Sequence, residues 1–129
     1  MTAAAYLDSS AIVKLVAEEP ETEAMQRFIR RRRLVSSALA RTEVLRAVLH
    51  AGADGITRAS DVLSRFDFIR VSDRILSSAG TLPPTELRSL DAIHLATALQ
   101  LGSDVRQLVT YDARMAEAAT TLGLRVASP

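Results

Sequence analysis

Short apolar runs alternate with amphipathic helical patterns from one end of this chain to the other. The runs predict strands over 3–7, 34–37, 68–71, 105–111 and 124–127, and the apolar spacing between them predicts helices over 10–19, 21–32, 38–51, 56–66, 74–79, 90–101 and 112–122. Gly52 and Gly55 are expected to break the helical pattern between the second and third strands. This alternation favours a three-layer α/β fold, in which helices cover both faces of a parallel sheet of four to five strands.

Length and composition exclude several classes of protein. The chain has 129 residues, of which 48% are hydrophobic and 24% charged, so one globular domain over residues 1–129 is expected. The absence of cysteine excludes disulfides and thiolate chemistry. No apolar run reaches the roughly 18 residues of a membrane span, and the first residues do not follow the signal-peptide pattern. We therefore expect a cytoplasmic protein with no membrane partner.

Four acidic residues occupy positions that a parallel sheet would bring to one edge. Asp8 and Asp112 directly follow predicted strands, whereas Glu43 and Asp91 lie in the early turns of predicted helices. The carboxyl ends of parallel strands line the crevice in which open α/β sheets bind ligands. The four carboxylates are therefore expected to converge at that edge.

A group of carboxylates that share an edge would favour a hard divalent cation. Without one, each carboxylate raises the pKa of its neighbours. Mg²⁺ and Mn²⁺ prefer oxygen ligands, and two such ions can hold the attacking and leaving oxygens of a phosphodiester. The hydroxyls of Ser10 and Thr110 lie beside acids in the sequence, where they could orient the carboxylates.

Three of these acids also have a purely structural interpretation. Asp8 and Asp112 could each cap the helix that follows, because a carboxylate accepts hydrogen bonds from the free amides of a first turn. Asp91 could serve only to complement the positive end of its helix dipole. The spacing of the residues leaves these alternatives open.

Glu43 has the least distinctive position of the four. It could be a solvated helix residue that pairs with Arg41 or Arg46 on the same helix. His94 follows Asp91 by three residues, but it is the single histidine of a mostly apolar helix. Because hard cations prefer oxygen, His94 is predicted to be a hydrogen-bonded core residue instead of a ligand.

A run of four arginines, Arg30–Arg33, is the densest cluster of charge in a chain whose formal net charge is only +1. One interpretation is a solvated helix end, where cations complement the helix dipole. The other is a surface that contacts RNA phosphates or an acidic partner. Both interpretations stay open.

Four segments resemble the PIN-domain family. They are YLDSSAIVKL at 6–15, TEV at 42–44, LRSLDAIHLATA at 87–98 and VTYD at 109–112. The resemblance covers essentially the whole chain and, more narrowly, extends to the VapC toxins of toxin–antitoxin pairs. It implies a Rossmann-like parallel sheet and a ribonuclease that depends on Mg²⁺, with Mn²⁺ as the alternative.

The resemblance also implies roles for particular residues and partners. It implies a catalytic quartet of acids: Asp8, Glu43, Asp91 and Asp112. The metal would be held by Asp8, Asp91 and Asp112, with Ser10 and Thr110 at the family's hydroxyl positions. The implied partners are a VapB-type antitoxin, an RNA substrate and a second copy of the chain in a homodimer.

Two other functions compete with the nuclease interpretation. A phosphorelay receiver domain needs adjacent acids after its first strand and a lysine late in the chain, whereas here Ser9 follows Asp8 and the single lysine is Lys14. The receiver interpretation is therefore rejected. A PIN fold that binds a partner without cleaving RNA remains open, although the complete quartet argues against it.

Overall fold

Five strands and seven α-helices alternate along residues 3–129, the part of the chain that the computed structural model describes. In chain order they are Ala4–Leu7 (β1), Ser9–Val16 (α1), Thr22–Ile29 (α2), Leu34–Ser37 (β2), Leu39–Val48 (α3), Gly52–Leu63 (α4), Asp67–Ile69 (β3), Asp73–Gly80 (α5), Ser89–Leu101 (α6), Val105–Val109 (β4), Ala113–Thr121 (α7) and Val126–Ala127 (β5). The predicted α/β fold is confirmed.

The five strands form one parallel sheet in the order β3-β2-β1-β4-β5, with β1 at its centre. Tyr6 of β1 lies opposite Val35 of β2 on one side and Leu108 of β4 on the other. The chain builds outwards from β1 to β3, then returns to the far side of β1 for β4. This reversal opens a crevice at the carboxyl ends of β1 and β4, the usual ligand site of such sheets.

Both faces of the sheet are covered by helices, and β1 contributes to both cores. Ala5 and Leu7 pack in the cluster formed with α1 to α4, whereas Ala4 and Tyr6 pack in the cluster formed with α6 and α7. Successive side chains of a strand point to opposite faces, so a strand covered on both sides must be apolar throughout. The continuous apolar run at 3–7 follows from this position.

Four strands are shorter than their sequence patterns predicted, and of these β1 begins at Ala4 instead of residue 3. β3 ends at Ile69 instead of residue 71, because its neighbour β2 ends at Ser37 and offers no further partner. β4 ends at Val109, and β5 has only two residues. The longest described helix, α6, has 13 residues, and no helix within residues 3–129 is long and apolar enough to cross a membrane.

The expectation that Gly55 breaks a helix was wrong. Gly52, with φ of +68°, begins α4, and Gly55 is buried inside the first turn of that helix. A Cβ atom on Gly55 would lie 2.7 Å from Ala51 Cβ and 2.9 Å from Val48 O. The residue is glycine because the preceding turn packs against its backbone, not because the helix ends there.

Replacing Gly55 with alanine should lower the free energy of unfolding by about 1–3 kcal/mol, because the new methyl group clashes with rigid neighbours. This loss should occur although alanine is the better helix former. Gly80 of α5 has open space around it and provides the matched control, so Gly80→Ala should be neutral or stabilising by up to about 1 kcal/mol. Urea unfolding of both variants tests this, and a Gly55→Ala protein as stable as the wild type would contradict it.

Candidate active site

Asp8 lies at the centre of the crevice, at the end of β1, and is only 4% exposed. Its backbone amide donates to Val109 O of β4 at 3.1 Å, so the sheet pairing continues up to the acid. Asp8 is also the N-cap of α1, where its carboxylate accepts from the amide of Ala11 at 3.0 Å. The capping interpretation is therefore structurally correct, and it accounts for one of the contacts of this side chain.

Two hydroxyls also donate hydrogen bonds to the Asp8 carboxylate. Ser10 Oγ donates to Oδ1 at 2.7 Å, and Thr110 Oγ1 donates to Oδ2. Thr110 Oγ1 in turn accepts from the amide of Asp112 at 3.1 Å, and Ser10 Oγ accepts from the amide of Tyr111 at 3.2 Å. The turn after β1 is thus tied to the turn after β4. Of roughly four acceptor positions on a carboxylate, three are filled, which leaves one on Oδ2.

Burial raises the pKa of Asp8, and the hydrogen bonds from Thr110, Ser10 and Ala11 only partly offset that effect. A pKa above the unfolded value means that the folded chain binds more protons than the unfolded chain. The contribution of Asp8 to stability is therefore complete below the unfolded pKa and is lost as the pH rises through the folded pKa. Ionisation of this buried carboxyl therefore destabilises the fold.

Asp91 lies close enough to Asp8 and Asp112 for their charges to act on it. Asp91, in the first turn of α6, has a raised pKa because it is partly buried and because the charges of Asp112 and Asp8 oppose its ionisation. The guanidinium of Arg88, with Nε 3.9 Å from Asp91 Oδ2, offsets this in part. Asp112 caps α7 through its Oδ1, which accepts from the amides of Arg114 and Met115, so its Oδ2 faces no helix amide.

Glu43 reaches the same edge from α3 but bonds to different partners. Its Oε1 accepts from Ser9 Oγ at 2.6 Å and lies 2.7 Å from His94 Nε2. Burial acts to raise the pKa of Glu43, yet the hydrogen bonds from His94 and Ser9 outweigh it, so the pKa falls below its ordinary value. Glu43 is therefore ionised at neutral pH.

The structural alternative raised for Glu43 was wrong, whereas the prediction for His94 is confirmed. Glu43 makes no ion pair with Arg41 or Arg46 within residues 3–129, so it is not a solvated helix residue paired along its own helix. His94 is buried and fully hydrogen-bonded, as predicted, but one of its partners is a carboxylate of the site. Ser9 was expected at most to cap α1, a position that Asp8 takes, and its contact with Glu43 was not predicted. The available signal was its place beside Asp8, in the turn that enters α1.

The donor set at this edge suits a hydrated divalent cation. Within the described range 3–129, no three Asp, Glu, His or Cys side chains stand close enough to hold an ion jointly, so the expected trio of Asp8, Asp91 and Asp112 is not a preformed cage. Burial raises the pKa of Asp91, and the charges of Asp112 and Asp8 raise it further. Mg²⁺ commonly binds through one or two carboxylates and keeps several waters, so these oxygens fit Mg²⁺ or Mn²⁺.

The arginine run lies at the amino ends of the strands, on the opposite side of the sheet from the acids. Arg33 precedes β2, and its carbonyl accepts from the amide of Ala5 near the start of β1. A four-residue strand such as β1 rises about 13 Å, so the run does not reach the acids. Arg32 packs 4.2 Å over the Phe28 ring and Arg33 pairs with Asp67 at 3.2 Å. Arg30 and Arg31 make no side-chain hydrogen bond or ion pair to any residue in 3–129.

The five-stranded parallel sheet agrees with the family comparison. A model of the PIN domain matches residues 5–120, so the chain belongs to the PIN-domain family, as its motifs predicted. Ribonuclease VapC46 of Mycobacterium tuberculosis is 55% identical over 128 residues, which cover 98% of each chain. The chain is therefore similar to the VapC proteins within that family.

Solved structures support the fold. VapC20 of Mycobacterium tuberculosis, described as a toxin that cleaves the sarcin–ricin loop, superposes with a TM-score of 0.75 at 13% identity and covers 98% of this chain and 100% of its own. VapBC2 of Rickettsia felis, bound to a DNA fragment from its promoter, gives 0.70 at 16% identity, with 95% and 96% covered. At these identities the likeness concerns the fold alone.

Replacing Asp8 with asparagine should raise the free energy of unfolding at pH 7 by about 0.5–2 kcal/mol in EDTA, the range often gained when a functional site is relaxed. The neutral amide avoids the buried charge and can keep the contacts, because its NH₂ group can donate to Thr110 Oγ1. Glu117→Gln, at an exposed position of α7, is the matched control and should stay within about 0.5 kcal/mol.

Urea unfolding at several pH values measures this effect. The gain of Asp8→Asn over the wild type should shrink as the pH falls toward 3.8, the ordinary Asp value, because the wild-type carboxyl then becomes protonated. A variant less stable than the wild type at pH 7 would show that the hydrogen bonds fully stabilise the carboxylate.

Proposed function

We propose that the chain is an endoribonuclease dependent on Mg²⁺ or Mn²⁺ that acts as the toxin of a toxin–antitoxin pair. The observation that carries this proposal is the set of four acids at the carboxyl edge of a PIN-domain sheet. It is supported by 55% identity to a relative named as a ribonuclease, over nearly the whole of both chains. The reaction would be the hydrolysis of an RNA phosphodiester.

The residues of the chain divide into two groups in this proposal. Asp8, Asp91 and Asp112 would hold the cation, through oxygens that the surrounding amides and hydroxyls leave open. When bound, the cation would supply Lewis-acid polarisation of the phosphate and of the attacking water. Ser10 and Thr110 fix the Asp8 carboxylate in one orientation, which metal ligands commonly need.

Glu43 is proposed as the general base of the hydrolysis. Its lowered pKa keeps it ionised, and its Oε1 is already occupied by Ser9 and His94. Oε2 is therefore the atom that would accept a proton from the attacking water. A base must be ionised and within reach of the proton it takes, and Glu43 meets the first requirement at neutral pH.

The proposed partner is a VapB-type antitoxin, and the proposed assembly contains a homodimer of this chain. The support is the VapC similarity, together with the solved VapBC2 complex of Rickettsia felis, which contains both components. A PIN fold without activity would also bind such a partner, so cleavage decides between the two functions.

Purified protein should cleave RNA with Mg²⁺ or Mn²⁺ and should lose that activity in EDTA, because a cation is needed to neutralise the acids and polarise the phosphate. Asp8→Asn and Asp91→Asn should each lower the rate at least about 100-fold. The measurement is single-turnover cleavage of total cellular RNA and of a labelled hairpin, with Glu117→Gln as the charge-matched control.

Cleavage that persists in EDTA, or in either variant at the wild-type rate, would contradict the site assignment. Binding to RNA or antitoxin without any cleavage under these metals would instead favour the binding-only PIN fold.

The two free arginines of the run are proposed to contact RNA phosphates outside the cleaved bond. Arg30→Gln with Arg31→Gln should weaken binding and reduce the slope of log K against log salt by about 1–2, since each phosphate contact releases counterions. The Arg30→Lys and Arg31→Lys pair keeps the charge and should keep the slope. Fluorescence anisotropy with a labelled single-stranded RNA in EDTA measures this, and an unchanged slope in the glutamine variant would identify the run as a solvated helix end.

A further inference from the structure

A buried chain of hydrogen bonds connects the sheet to Glu43 through two side chains that no proposed step uses. Tyr6 Oη of β1 lies 2.7 Å from His94 Nδ1 of α6, and His94 Nε2 lies 2.7 Å from Glu43 Oε1 of α3. Tyr6 is fully buried and His94 is 2% exposed, with their rings edge to face at 5.8 Å. Three separate elements of the fold therefore meet at this histidine.

The partners of Tyr6 determine the direction of the chain. The amide of Ser37, at the end of β2, donates to Tyr6 Oη at 3.1 Å. The phenol keeps its proton at neutral pH because burial raises its pKa further above the ordinary value. With an acceptor position of Tyr6 taken by the amide, the phenol proton is available for His94 Nδ1.

A phenol that donates to Nδ1 selects one tautomer of the neutral imidazole. Nδ1 then acts as the acceptor, and the ring proton resides on Nε2, which points at Glu43 Oε1. The alternative neutral tautomer would set the lone pair of Nε2 against a carboxylate and leave Tyr6 facing an N–H group. Of the two neutral tautomers, only the Nε2–H form satisfies every member of the chain.

We propose that His94 is a positioning residue that, with its tautomer fixed by Tyr6, holds Glu43 so that Oε2 alone faces the site. Ser9 Oγ is the second donor to the same Oε1, at 2.6 Å, and helps to hold it in place. Oε1 thus receives two donors and has no acceptor position left, whereas Oε2 receives none from residues 3–129. A glutamate side chain with several free rotations becomes a base with one usable oxygen.

The role of Glu43 as a base rests on the proposed function, but the tautomer of His94 is a property of the protein without metal or RNA. The first measurement is therefore ¹⁵N NMR of the histidine ring in metal-free wild type, Tyr6→Phe and Tyr111→Phe. Wild-type His94 should show the neutral Nε2–H form, and Tyr6→Phe should show a mixture of both tautomers. Tyr111→Phe is the matched control, because the Tyr111 hydroxyl has no hydrogen-bond partner among residues 3–129, and it should match the wild type.

The second measurement is single-turnover cleavage at saturating protein. His94→Leu should lower the rate constant about 10–100-fold with little change in the concentration for half-saturation, since Glu43 loses its orientation and RNA binding does not. His94→Gln, whose side-chain amide can donate from nearly the Nε2 position, should recover most of the lost rate. A merely structural role for His94 would predict no recovery by glutamine beyond what regained stability explains, so the thermal midpoints of both variants are recorded.

An Nδ1–H or doubly protonated His94 in the wild type at pH 7.5, or a Tyr6→Phe tautomer identical to the wild type, would overturn the proposal. A folded His94→Leu protein with the wild-type rate would overturn it as well. If wild-type protein cleaves no RNA, the proposed function fails, but the NMR result still decides whether Tyr6 fixes the tautomer.

Discussion

The pairing of β1 with β4 is the contact on which both the fold and the site depend. It places Leu7 opposite Val109, so the residues that follow the two strands, Asp8 and Thr110, lie at the same level. A carboxylate buried there would be costly without partners, and the turns supply them because Thr110 and Ser10 are hydroxyl residues. A one-residue slip between these strands would move the hydroxyl away from the acid and turn apolar side chains toward the wrong faces.

β1 also connects the two cores to the two halves of the site. Its residues alternate between the faces of the sheet, and Tyr6 points to the face that is covered by α6. The hydroxyl of this tyrosine lies within the cluster formed with α6 and α7 and is hydrogen-bonded to His94, whereas Asp8 follows two residues later at the sheet edge. The orientation of Glu43 is thus linked to core packing. The hydrogen-bonded chain from Tyr6 through His94 to Glu43 can lie in an apolar interior because every member has a partner.

Much of this could be predicted from the sequence because the information is local. The alternation of strands and helices follows from apolar periodicity, and Asp8 and Asp112 follow from their places at strand ends. The Glu43–His94 contact could not, since 51 residues separate the partners and their helices, α3 and α6, cover opposite faces of the sheet. The misjudged Gly55 has the same cause, because the close approach of Val48 and Ala51 is invisible in a composition pattern. The position of Arg30–Arg33 could have been predicted, because the run directly precedes β2 and therefore lies at the amino ends of the strands.

The hydrogen bonds also limit how many oxygens the chain can offer to a cation. Asp8 retains one acceptor position on Oδ2, and Asp112 uses Oδ1 for the helix cap. Each of these two acids therefore presents a single oxygen, and bidentate binding by either of them would break a bond that positions it. A site built in this way suits an ion that keeps most of its own water, as Mg²⁺ does, and disfavours Ca²⁺, which takes six to eight oxygen ligands and often binds a carboxylate through both oxygens. On the proposed function, the water needed for hydrolysis would then come from the shell that the protein leaves in place.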